Sequence, residues 1–540
     1  MNEELKSINM SIAHERALLA KQTKNLETLY WFLPDVELDV IINIINNEIF
    51  NREALDRSNY LQSNSFEVKK ELLEKKSKLL TNEELEKIKK FIQENELQDN
   101  IKNAICVLPW NHLGIMTNGD VRMCCQMIYR PYGLIGKNVK DIKDINGIRN
   151  SDYAKNIRKQ MLNGHKPKVC ELCWTEERNK LKSKRQHQNS IYKDLLGKIK
   201  NYTKNDGEID TNQIKLNYLD LRLGNKCNLS CRSCGPSESD KWYEESYNFG
   251  QGKIRFYNNK QYELIKKEGK IVINSEDFNW PDSTNFLSLI LDSCNNIDRL
   301  YFTGGEPMLN YSHINFLENL VTRQMSSKIY LEYNSNGSTL PETILNLWPK
   351  FKGVGIGFSI DALETKFEYL RFPGKWNKVI KTLEKLDTYV KKGNKIDSGF
   401  APTISIYNIL HILDIYDYIL FQAPAWMTKS IPIHVLEGPD YMSPKILPVY
   451  AKNQIKDVYK NWLDKINKIT CFPNINKNQS QIAKDIANSQ INNLINYINE
   501  NLENSDKLLQ DFYIKTEKMD IKRKQSYKKY FPELHELLKI

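Results

Sequence analysis

Along the chain the hydrophobic positions change rhythm several times. From Met1 to about Asn103 they recur at helical spacing, as Leu85, Ile88 and Ile92 do among Glu and Lys, which predicts a helical region over 1–104. Next comes a strand-like alternation from Leu113 to Thr117, an Asn118-Gly119 pair and a return run Val121 to Met123. Asn-Gly between alternating runs is a strong hairpin signal and predicts a β-hairpin. Between Leu216 and Leu436, six short β-rich runs (219–223, 300–303, 329–333, 354–360, 403–406 and 433–436) alternate with longer helical ones. Repeated strand-helix units imply an α/β fold, a parallel sheet with helices outside and function at the C-terminal ends of the strands. The final hundred residues are helical and rich in Asn and Lys. The expected regions are therefore 1–104, 105–205, 206–440 and 441–540.

Composition narrows this picture. With 540 residues, 40% hydrophobic and 27% charged, the chain is globular and long enough for more than one core. The net charge of +11 is concentrated in residues 178–204 and 515–529, including Lys184, Arg185 and Arg523. Neither stretch interleaves aromatics as a base-stacking platform would, so both read as solvated helix faces and no nucleic-acid partner is expected. No basic n-region precedes an apolar core at Met1 and no apolar run approaches the roughly 18 residues of a span, so a cytoplasmic protein without a membrane partner is expected. In a reducing compartment clustered cysteines read as metal ligands before disulfides, and seven of the ten are clustered.

The first cluster is Cys227-x3-Cys231-x2-Cys234, directly after the first strand of the repeat. Three thiolates can hold three irons of a 4Fe-4S cube and leave the fourth open to an exogenous ligand, which implies chemistry. A zinc site completed by a distant ligand is the structural alternative. At the end of the second run stands Thr303-Gly304-Gly305-Glu306-Pro307, glycines for close backbone approach and a carboxylate for an ammonium group. Together these motifs resemble the radical S-adenosylmethionine (SAM) superfamily, over roughly residues 216–436. The resemblance implies a partial (β/α)6 TIM-like barrel and reductive cleavage of SAM at a cluster held by Cys227, Cys231 and Cys234. It also implies a 5′-deoxyadenosyl radical and SAM positioned by Gly304, Gly305 and Glu306. Asn334, Ser335, Asn336, Ser359 and Asp361, at later strand ends, are further SAM-contact candidates or simply turn and cap residues. Ser233 departs from the aromatic that many members carry before the third cysteine. Residues 242–282 read as an insertion.

The second constellation is Cys106, Cys124, Cys170 and Cys173, with the hairpin turning Cys124 back towards Cys106 and Cys125 a rival for the same role. Four thiolates suit a closed cluster, and a zinc ribbon has the same spacing. The arrangement resembles the SPASM and twitch auxiliary-cluster modules of radical SAM proteins, here ahead of the barrel, and implies a second 4Fe-4S cluster. From the same resemblance follow a flavodoxin- or ferredoxin-like electron donor and a peptide or protein substrate. The alternatives are a dehydrogenase or mutase of a small molecule (sugar, alcohol or nucleotide) and a non-catalytic metal-binding scaffold. Cys294 and Cys471 read as small buried residues before hydrogen-atom donors, and Arg371 as part of a turn before a substrate clamp that binds a carboxylate.

Overall fold

A computed structural model of the chain describes residues 100–127, 138–178, 182–256, 260–282, 284–429, 431–436 and 438–538. The helical reading of residues 1–99 lies outside them. The described residues all fall within one compact unit, Glu94–Ile540.

The expected hairpin forms from β1 (His112–Ile115) and β2 (Val121–Arg122), antiparallel with Ile115 opposite Val121. Gly119 takes φ +82° in its turn, a conformation that favours glycine. The repeat then supplies β3 (Tyr218–Leu221), after which the insertion builds a three-stranded antiparallel sheet of β4 (Lys253–Arg255), β5 (Gln261–Lys267) and β6 (Lys270–Ile273). The α/β repeat resumes with β7 (Arg299–Phe302), β8 (Tyr330–Ser335), β9 (Gly353–Phe358) and β10 (Asp397–Phe400). The main sheet is seven-stranded and mixed, in the order β10-β9-β8-β7-β3-β1-β2.

Two features differ from the sequence expectation. First, β1 pairs in parallel with β3, His112 opposite Tyr218, so the hairpin extends the sheet across the expected boundary at 205/206. Second, the fifth strand is broken. Its first part, β10, was not foreseen because Asp397-Ser398-Gly399-Phe400 carries no β-branched residue. Pro402 then interrupts the ladder by lacking an N–H, and β11 (Thr403–Ile404) pairs with β12 (His434–Val435) in a separate two-stranded sheet.

Strand alternation gives the main sheet two different faces. One carries Leu113, Leu219, Leu300, Leu331 and Val354 in register, with Phe302, Tyr333 and Ile356 one pleat on and Phe358 a pleat beyond them, all buried in one continuous core. The other carries Asp220, Tyr301, Glu332 and Gly355 in register. On this polar face the glycines of β9 make room for neighbours: a Cβ on Gly353 would lie 2.8 Å from the Tyr330 ring, and one on Gly357 3.1 Å from Asn334 Oδ1.

The insertion has a small core of its own, Tyr243, Ile254, Phe256, Tyr262, Leu264 and Phe278. It grips the hairpin turn, with Trp280 Nε1 donating to the Thr117 carbonyl (3.0 Å) and Asn118 Nδ2 to Tyr262 Oη (3.1 Å). Three long helices, Val449–Asn467, Lys477–Asn499 and Ser505–Arg523, dominate the C-terminal region. Among the described residues no helix is long and apolar enough to cross a membrane.

Candidate functional site

After β3 the chain turns at Gly224 (φ +78°) into the loop that holds Cys227, Cys231 and Cys234. Backbone bonds fix it from one side: Ser230 N donates to the Phe372 carbonyl (2.7 Å) and Arg232 N to that of Leu370 (2.8 Å). Cys227 N donates to Asp240 Oδ1 at 3.0 Å. The three thiols are close enough to feel one another's charge, and Cys227 also feels Glu306. Burial pushes all three thiols up, Cys227 to about 12, so without a metal they hold their protons and iron must displace them.

Gly304 and Gly305, both at positive φ, lie directly against this loop. A Cβ on Gly305 would stand 2.3 Å from the Lys226 carbonyl oxygen, and one on Gly304 2.6 Å from Arg222 Cβ. Gly305 N donates to Glu238 O and Glu306 N to Lys226 O, each at 2.9 Å, which ties the two motifs into one unit. Glu306 is 1% exposed. Its carboxylate accepts from Asn336 N (2.7 Å), Ser335 Oγ (2.9 Å) and Met308 N (3.2 Å). Burial pushes this carboxyl up to about 7 against the pull of those bonds. A carboxylate has about four lone-pair sites, so room remains for a further donor.

The strand-end candidates divide. Ser335 and Asn336 join Glu306 as described, and Asn336 Nδ2 also reaches Asn228 Oδ1 (2.9 Å) and stands 4.0 Å from Cys227 Sγ. Asn334 lies over Gly357 on the polar face, and Ser359 N donates to the Ser335 carbonyl. Asp361 is engaged within the fold: Oδ2 pairs with Arg371 Nη2 (2.9 Å) and Oδ1 accepts from Thr403 N (2.9 Å). Arg371, read from sequence as a turn residue, is buried with Nη1 3.8 Å from Cys231 Sγ.

The second constellation also converges. Cys106, Cys124, Cys170 and Cys173 line one cavity with Leu108, Met127, Met161, Gln126 and Arg185, whereas Cys125 is not part of its lining and its Sγ accepts from Lys184 Nζ at 2.8 Å. Burial pushes Cys106 up to about 11 and Cys173 to about 12. Among the described residues no group of three His, Cys, Asp or Glu side chains is arranged around a single ion. Four thiols around one cavity, three buried and that of Cys170 partly exposed, fit a cluster, which spreads its ligands over several irons. Cys471 is exposed, not buried, and the side chain of Cys294 lies outside the described residues.

Sequence reasoning missed the basic residues that turn inward. Lys184, Arg185 and Arg523 belong to the stretches expected to be solvated, yet Lys184 meets Cys125, and Arg185 pairs with Glu177 Oε2 at 2.6 Å while 8% exposed. Arg523, 6% exposed, pairs with Glu245 Oε2 at 2.9 Å. Nothing in a local sequence pattern marks these partners, because each lies on a different element.

Three comparisons bear on this geometry. Residues 106–174 match the SPASM family, described as an iron-sulfur cluster-binding domain. An uncharacterized protein of Methanocaldococcus jannaschii is 22% identical over 271 residues, 50% of this chain and 77% of its own. The GTP 3′,8-cyclase of Desulforamulus reducens is 25% identical over 231 residues, 42% of this chain, so the match spans just over half (56%) of the cyclase. Among solved structures, anSMEcpe with bound AdoMet and a Cp18Cys peptide overlaps 46% of this chain and 60% of its own, at 16% identity and a TM-score of 0.29. Streptococcus suis SuiB bound to precursor peptide SuiA overlaps 63% and 68%, at 11% identity and a TM-score of 0.28.

Proposed function

Because this chain is a radical SAM protein with a SPASM-like iron-sulfur domain, we propose that it abstracts a hydrogen atom from its substrate with a SAM-derived radical. S-Adenosylmethionine and 4Fe-4S clusters are its cofactors. In this reading Cys227, Cys231 and Cys234 hold one cluster and Cys106, Cys124, Cys170 and Cys173 an auxiliary one. When bound, the first cluster and SAM supply one-electron cleavage of the sulfonium and a 5′-deoxyadenosyl radical.

The protein's own contribution is placement. Gly304 and Gly305 let their segment pack tightly against Arg222 and the Lys226 backbone beside the cysteine loop, and Glu306 offers its remaining acceptor capacity to the methionyl ammonium, held in orientation by Ser335, Asn336 and Met308. Asn334 and Ser359 stand at neighbouring strand ends, where the rest of SAM would lie. Strands β3, β7, β8 and β9, the broken fifth strand β10–β11 and then β12 would form the partial six-stranded barrel, its polar face towards the substrate. The observation that carries the reading is the three-cysteine loop tied by two backbone bonds to the Gly-Gly-Glu segment.

The favoured substrate is a peptide or protein, following the resemblance to auxiliary-cluster proteins, with a flavodoxin- or ferredoxin-like donor of electrons. A nucleotide is the second reading, favoured by the relation to the GTP 3′,8-cyclase.

The test is anaerobic reconstitution followed by assay of iron and of 5′-deoxyadenosine formed from SAM and dithionite. About eight irons per chain, as two 4Fe-4S clusters require, with deoxyadenosine lost in Cys231→Ala, is expected. Bound zinc and no deoxyadenosine would replace the reading with a metal-binding scaffold. Deuterium transfer into deoxyadenosine from labelled peptide or labelled nucleotide separates the substrate classes.

A further inference from the structure

Around the three-cysteine loop three buried arginines converge from three parts of the chain, and one of them, Arg371, also acts on Glu306. Arg232 belongs to the loop itself: it stacks on the Tyr369 ring at 3.7 Å, donates to Gln525 Oε1 at 3.1 Å and pairs with Asp520. Arg371 brings Nη1 to 3.8 Å from Cys231 Sγ while Asp361 occupies its other terminal nitrogen, Nη2. Arg523, from the C-terminal helix Ser505–Arg523, donates to Ser230 Oγ at 3.4 Å, one residue from Cys231, and is held by Glu245 of the insertion. Its guanidinium lies 4.9 Å from the Trp242 ring and 5.0 Å from that of Phe372. These cations are 3%, 8% and 6% exposed, and each keeps one buried N–H without a hydrogen-bond partner: Arg232 Nη1, Arg371 Nε and Arg523 Nη1.

Ion pairs this deeply buried are a poor source of net stability, since desolvation offsets much of their attraction. Charge next to a cluster thiolate has a different use. Reduction adds one negative charge to the cluster, and a fixed cation with little water around it favours the reduced form, as do N–H groups pointing at cluster sulfur. Of the three, Arg371 and Arg523 act on Cys231 itself, both favouring its thiolate, whereas Arg232 is directed towards Asp520.

We propose that Arg371 and Arg523 are positioning residues that set the reduction potential of the cluster on Cys227, Cys231 and Cys234, with Glu245 as the counter-charge that limits the effect of Arg523. The C-terminal helix is thereby part of the redox site, not only of its packing. This rests on the cluster assignment made above.

The test is an EPR-monitored redox titration of the reconstituted full chain, with the signal of this cluster identified by its loss in Cys231→Ala. Arg371→Gln and Arg523→Gln are each expected to lower the reduced-to-oxidised ratio at a fixed applied potential about tenfold, which for one electron is about 59 mV. Arg371→Lys and Arg523→Lys retain the cation and are expected to stay near wild type. Glu245→Gln is expected to move the potential the opposite way. A purely structural role predicts that all these variants lose stability together and leave the potential in place, and that result would overturn the proposal. If Arg523→Gln does not fold, the Arg371 pair and Glu245→Gln carry the same sign test. If Cys231→Ala keeps both cluster signals and its iron, the assignment itself is wrong and the proposal falls with it.

Discussion

At the scale of single residues, close contact is the recurring device. Alanine at Gly305 would combine a left-handed backbone with a Cβ 2.3 Å from the Lys226 carbonyl, so the cysteine loop would have to shift. Gly305→Ala is expected to cost about 1–3 kcal/mol and to lower iron retention at this loop, read by denaturant midpoint and iron per chain. His313 argues a different point. It is buried between the Pro307 carbonyl and Tyr333 Oη, and burial drives its pKa from 6.5 down to about 4. The unfolded chain therefore takes up a proton that the fold refuses, and the stability associated with neutral His313 is full above pH 6.5 and lost as pH falls towards 4. His313→Gln should flatten that acid limb of the stability profile, a contribution of up to about 3 kcal/mol. The two cysteine groups were legible in sequence because their spacing is itself the signal, and the structure brings the members of each group together. Asp361 was legible only as a polar strand-end residue, since its partner Arg371 is ten positions away across a helix.

At the scale of elements, the hairpin decides between adjacent cysteines. Its register leaves Cys124 in the four-thiol cavity and sends Cys125 to Lys184. Cys124→Ser is expected to reduce about eight irons per chain to about four, whereas Cys125→Ser should keep about eight. Sequence could place the turn through Asn118-Gly119 but not which of the two neighbouring thiols beyond β2 lines the cavity and which meets Lys184. The strand repeat shows the same boundary of legibility. Runs rich in Leu, Ile, Val and Tyr announced β3, β7, β8 and β9, whereas β10 is held by its neighbour β9 and not by its own propensity.

At the scale of the molecule, the β1–β3 pairing makes one sheet of what the sequence divides into two regions. A fragment of residues 206–540 would expose the β3 edge and the apolar residues that β1 covers, and exposed edges recruit other strands. Such a fragment is expected to aggregate where a 100–540 chain stays monodisperse, as size-exclusion chromatography would show. Expected domain boundaries followed the cysteine groups, and hydrogen bonding does not respect them, because strand pairing is a long-range choice that local pattern cannot encode.

The bond between Arg232 and Asp520 also imposes an order in time. The two residues lie 288 positions apart, Arg232 first. During synthesis from the N-terminus the three cysteines are complete long before the helix that clamps their loop has left the ribosome. For that interval the loop lacks the packing that Asp520 gives Arg232. The helix Ser505–Arg523 thus works as a latch, fastening a loop that was made long before it.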